Sequence, residues 1–273
     1  MHQLGSVSGA GAYGVTGTVI KNIYIICLVL AAGAAAPSLA CAGSPLLEAY
    51  GEFVTLESEG GYQSSTWATA RWRTGESAFA PMPYVGLAWE RYAPDFAPNV
   101  SQVGRVSPHA GVQFRPIPEI KLFAEYRYVF DSPRSAIYSR HDPRIGVVGG
   151  LWRELALGKH AIFSDSYGEF LFLPRISDRP AATVFSKVGP RFRLVPRLGA
   201  DLYLEGFARE SDDVNLGRRA YELRYGSRLV YAFGGPRPES NWVATLGAFR
   251  RFASFRDAPA ARWRLLIAIG GSL

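Results

Sequence analysis

Residues Ala261–Leu273 read ARWRLLIAIGGSL, with Arg262 and Arg264 alternating against Trp263, Leu265, Ile267 and Ile269. Successive side chains on a strand point to opposite faces, so this stretch has one charged face and one long apolar face. A strand of that kind suits a wall with hydrocarbon on one side and water on the other. The pattern is expected to run to the terminal residue, Leu273.

The same period extends backward through the chain. Windows after Gly43 are rich in glycine and aromatics, are broken by Pro, Gly and Asp, and carry no convincing helical repeat. About twelve strands are expected. The first six are Tyr50–Glu59, Thr66–Arg73, Tyr84–Tyr92, Gly104–Arg115, Ile120–Val129 and Arg144–Arg153. The second six are Tyr167–Leu173, Thr183–Arg193, Leu198–Arg209, Ala220–Ala232, Trp242–Phe252 and Arg262–Leu273. Val106, Ala110, Val112 and Phe114 oppose Arg105, Ser107, His109, Gln113 and Arg115; Tyr221, Leu223, Tyr225, Leu229 and Tyr231 oppose Glu222, Arg224 and Arg228. The seventh and eighth strands carry phenylalanines among mixed residues, so a slip of one residue would exchange their faces.

Short connections at Pro116–Glu119 and Leu194–Arg197 stand against long polar ones around Ala93–Val103, Phe130–Pro143 and Glu210–Arg219. Short turns at one end and long loops at the other fit an up-and-down transmembrane barrel, with the long loops outside the cell. A secreted β-sandwich also alternates at period two, so alternation alone leaves both folds open. Aromatics near strand ends, namely Trp89, Tyr92, Trp152, Tyr203, Tyr231, Trp242 and Trp263, favour the barrel as interfacial girdles.

The other end of the chain is independent of this pattern. Lys21 precedes the apolar run Ile23–Ala36, followed by small residues through Ala40, Cys41 and Ala42 to Gly43. That is the layout of a secretory signal peptide, its run shorter than the roughly 20 apolar residues a membrane helix needs. Residues 1–42 are read as signal peptide and N-terminal extension, and 43–273 as one outer-membrane β-barrel domain. A lipoprotein would make Cys41 the lipidated residue, but Leu39 stands two rather than three positions before it. The only cysteines, Cys27 and Cys41, fall inside the signal, so the mature barrel is expected to hold no disulfide.

The whole chain has 30 Lys and Arg against 23 Asp and Glu; the signal removes only Lys21 from that balance and leaves a formal charge of +6. The basic residues are spread through strand-like segments with no nucleic-acid motif, so no nucleic-acid partner is expected. With the apolar sets facing lipid, the lumen or ligand-facing set is Arg105, His109, Arg115, Lys121, Glu125, Arg127, Asp201, Glu205, Arg209, Glu222, Arg224, Arg228, Arg262 and Arg264. Such charges need water or partners, because an unpaired buried ion costs several kcal/mol. They either pack the barrel shut as Arg–carboxylate pairs or line a passage that favours anions.

No catalytic residue, metal site or cofactor is expected. Ser139-Arg140-His141-Asp142 is read as a loop, and His160 with Asp165-Ser166 matches neither a deacylase His-x-Ser nor a Gly-x-Ser-x-Gly elbow. His2, His109, His141 and His160 lack ligand spacing.

The closing strand resembles the C-terminal strand of Gram-negative outer-membrane β-barrels, although Leu273 stands where those usually carry an aromatic residue. Tyr167-Gly168-Glu169-Phe170-Leu171 and Val188-Gly189-Pro190-Arg191-Phe192 are similar to the C-terminal barrels of exopolysaccharide-export and bacteriophage-adsorption proteins, which normally carry a helical-repeat region that this chain lacks. The resemblance implies a barrel in the outer membrane, with lipid and the barrel-insertion machinery as partners. The expected function is a porin-like channel or export barrel passing or binding an anionic solute or polysaccharide. The alternatives are a closed structural or adhesive barrel working through its outer loops and, after that, a lipid-modifying hydrolase.

Overall fold

A single antiparallel sheet closes on itself. The computed structural model describes residues 46–55, 61–93, 103–131, 140–173, 180–210, 220–234, 241–254 and 263–272. Twelve strands form the wall: β1 (Leu46–Thr55), β2 (Tyr62–Arg71), β3 (Met82–Ala93), β4 (Val103–Ile117), β5 (Ile120–Tyr128, resumed at Phe130–Asp131) and β6 (His141–Leu157). The rest are β7 (His160–Phe172), β8 (Ala181–Val195), β9 (Leu198–Glu210), β10 (Ala220–Gly234), β11 (Asn241–Ser254) and β12 (Trp263–Ser272). Each pairs antiparallel with its successor, and β12 pairs with β1. Closure removes every sheet edge and leaves no second sheet, so the fold is a barrel and not a sandwich.

The strands meet at a turn end and a loop end. Pro118-Glu119 and Pro196-Arg197 make two-residue turns, each proline pre-setting φ at the first central position. Turns of that hand splay a hairpin, and the register shifts beside both turns absorb the mismatch. Gly158-Lys159 joins β6 to β7 with φ +62° at Gly158, the position where a type II′ turn requires glycine. The turn end also holds the longer connection of residues 72–81, tied by Trp72 N to Pro83 O at 3.0 Å. The loop-end connections expected around Ala93–Val103, Phe130–Pro143 and Glu210–Arg219 lie largely outside the described residues.

The outer wall is apolar and open: Ile145, Leu155 and Leu204 are 64%, 65% and 58% exposed, with Val106, Leu122, Val184, Val188, Leu202 and Leu246 around them. A wall this apolar needs hydrocarbon against it, as an outer-membrane barrel has. Trp89, Tyr231, Trp242 and Trp263 share the outer face, but Trp152 and Tyr203 do not. Trp152 stacks on buried Phe163 at 5.4 Å, and Tyr203 is buried with Phe163 and Phe249 inside the barrel. Their parity in the strand, not their nearness to its end, decides their side. The side chain of Tyr92 lies outside the described set.

Inward aromatics repeatedly face a glycine across the ladder. Tyr50 pairs with Gly270, Tyr84 with Gly111, Phe123 with Gly146, Tyr167 with Gly150, Phe163 with Gly189 and Tyr203 with Gly226. At Gly226 a Cβ would meet the Tyr203 ring at 2.7 Å, and at Gly270 it would meet Tyr50 at 2.8 Å. At Gly111, Gly146, Gly226 and Gly270 the missing side chain leaves room for the ring to lie against the neighbouring strand.

Candidate functional site

Strand parity carries the charged residues to the inner face. Arg105, His109 and Arg115 stand on β4, and Lys121, Glu125 and Arg127 on β5. Asp201, Glu205 and Arg209 stand on β9, Glu222, Arg224 and Arg228 on β10, and Arg264 on β12. The ladder sets Arg127 opposite His109, Asp201 opposite Arg228 and Glu205 opposite Arg224. Arg262 lies outside the described residues.

These side chains gather into groups held by carboxylates. On the β8–β10 wall, Arg191 donates a two-pronged pair to fully buried Asp201 at 2.7 and 2.8 Å. Arg228 donates to the same carboxylate at 2.8 Å and to Asp165 at 3.2 Å. Above it, Arg224 donates to Glu222 at 2.6 Å and lies 3.6 Å from Glu205, while Arg251 reaches Glu222 at 3.4 Å. On the opposite wall, Glu125 accepts from the Tyr84 hydroxyl at 2.9 Å and from Arg127, and Arg105 reaches Glu90 at 3.4 Å. Glu48 holds Arg71 and, at 3.5 Å, Arg115, with Lys121 in the field of all three. His109 is wall structure: Nδ1 lies 3.3 Å from Ser107 O and the ring meets Tyr84.

Asp142, Arg144, Asp165, Lys187 and Arg191 are inner-face residues that sequence reasoning missed. Arg144 Nη2 donates to fully buried Asp142 at 2.7 Å, so His141 and Asp142 belong to β6 and not to the loop expected there. The signal was the alternation through His141, Asp142, Pro143 and Arg144, masked by a proline read as a break. On β8, Lys187, Arg191 and Arg193 all have the same parity, which would have settled the face that the phenylalanines left ambiguous.

Two cavities of the lumen bear on the site. A vestibule of about 590 Å³ occupies the loop-end half and is lined by six basic side chains, Arg127, Arg144, Lys187, Arg209, Arg224 and Arg264, against four glutamates. Four of those cations lie over aromatic faces: Lys187 Nζ 4.2 Å over Phe185, the Arg224 and Arg209 guanidiniums 3.7 and 5.1 Å over Phe207, and Arg264 5.8 Å over Phe249, with Arg209 Nε buried and unpartnered. A second cavity of about 450 Å³ lies at the turn end beside β11, β12 and β1.

A Ser–His arrangement does not form among the described residues. His160 lies on the outer face and Asp165 on the inner one, while Ser166 shares a 2.9 Å hydrogen bond with Ser186 on the outer wall. Ser139 lies outside the described residues. Among the described residues no group of three or more His, Cys, Asp or Glu is placed to hold a metal.

No family model matches the chain, and no curated protein matches it in sequence. Solved outer-membrane barrels align along most of the chain. A KdgM porin aligns over 84% of this chain and 99% of its own at 7% identity and TM-score 0.35. An outer membrane channel from Pseudomonas putida F1 aligns over 87% of this chain and 99% of its own, at 12% identity and TM-score 0.41. The translocator domain of the autotransporter NalP from Neisseria meningitidis aligns over 94% and 97%, at 12% and 0.41. Identities this low transfer no residue roles.

Proposed function

We propose that the protein is an outer-membrane channel whose lumen passes or binds an anionic solute or anionic polysaccharide. The observation that carries this reading is the pair of vestibule cations Lys187 and Arg209, held on rings rather than hydrogen-bonded to carboxylates. A cation seated on an aromatic face keeps its charge available to a passing carboxylate or phosphate. Asp201 and Glu222 instead neutralise the guanidiniums around them. The expected setting is the outer membrane, reached through cleavage of residues 1–42, with the loop end outside the cell.

Purified protein in a planar bilayer under a salt gradient tests the reading. An anion-selective reversal potential is expected, moving toward zero in a Lys187→Gln/Arg209→Gln double variant. Cation selectivity in the wild type would count against it. The dense ion pairing on the β8–β10 wall favours a second reading, a closed barrel acting through its outer loops, and absence of conductance at every voltage in the wild type and in variants that widen the lumen would select that one.

A further inference from the structure

The vestibule and the turn-end cavity have two lining residues in common, Tyr50 and Trp67. They are direct ladder partners on β1 and β2, and their rings stack at 6.1 Å between centroids, 30° apart. The Tyr50 hydroxyl is tethered, donating to Glu52 at 2.7 Å, and its ring lies against Gly270. Below this pair the inner face of β11 and β12 carries Val243, Thr245, Ala268, Gly270 and Ser272, all small. Across the lumen the β6–β10 wall carries Trp152, Phe163, Arg191 and Arg228, packed on one another with Arg191 4.6 Å over the Trp152 ring. The turn-end cavity therefore lies on the β11–β12–β1–β2 side, away from that packed cluster.

Resting on the channel reading above, we propose that the passage runs down the β11–β12–β1–β2 side and that Tyr50 and Trp67 form its size-limiting constriction. The pair filters by width and offers ring faces, while the cations above it set charge preference. An aromatic constriction at the junction of two wider chambers limits flux more than any residue in either chamber. Gly270 sets how far the Tyr50 ring stands out from the wall, because a side chain there collides with Cδ2 at 2.8 Å.

Single-channel conductance of the full-length barrel in planar bilayers tests this, with folding of each variant checked by its gel shift on boiling. Trp67→Ala and Tyr50→Ala are expected to raise conductance roughly twofold or more, since channel conductance follows the narrowest segment. Gly270→Val is expected to lower it by pushing the ring into the lumen. Phe123→Leu, which changes an inward ring lining neither cavity and outside the charged groups, is expected to leave conductance unchanged. Unchanged conductance in both alanine variants, or an equal rise in Phe123→Leu, would overturn the assignment. A silent wild type with a conducting Trp67→Ala would support it as a closed gate. Silence in the wild type and in every variant would instead defeat the channel reading on which it rests.

Discussion

Asp201 is the residue on which the turn-end interior depends most. Its side chain is fully buried and takes hydrogen bonds from Arg191 and Arg228 on the two flanking strands. Removing one partner of a buried ion pair strands the other charge, at about 3–5 kcal/mol. Asp201→Ala is therefore expected to lower the stability of the folded barrel by about that much, read as the urea midpoint in lipid vesicles, and Asp201→Asn by less because one oxygen acceptor remains. Glu154, which meets Arg193 near the turn end, should matter far less because Arg193 is half exposed. Asp201 and Arg228 were legible in the sequence because their strands alternate cleanly; Arg191 and Asp165 were not. β7 and β8 place Phe163 and Phe185 inside but Phe170 and Phe192 outside, so aromatic identity alone cannot tell lipid from lumen.

Among the elements, the β6–β7 hairpin depends on its turn. Gly158 takes φ +62°, which costs an L side chain roughly 1–2 kcal/mol. Gly158→Val is expected to slow refolding from urea into vesicles and to lower the midpoint by about 1–2 kcal/mol. Val is the informative choice, since β-branching is least tolerated at positive φ. All twelve strands were legible, but β6 and β7 were read too short, leaving Glu154–Ser166 unassigned. The cue was present: Leu155, Leu157 and Ile162 keep the outer parity on both sides of Gly158-Lys159. β1 and β2 begin four residues earlier than expected.

For the whole molecule, closure makes the wall a ring of ladders with no first strand to peel away. The unboiled protein is expected to migrate ahead of the boiled form in SDS gels; identical migration before and after boiling would contradict a closed barrel. The seam between β1 and β12 differs from every other joint, because the strands it unites are separated by the entire remaining wall and no connection fixes their alignment. A slip of two residues there would keep every charge inside and every apolar residue outside, so alternation offers no protection against it. The Tyr50 ring does, because moving it two places sets it opposite Ala268 or Ser272, whose side chains occupy the space that Gly270 leaves empty. In a closed barrel the stagger at the seam fixes tilt and diameter together. One tyrosine seated on one glycine thus acts as the gauge to which the calibre of the barrel is cut.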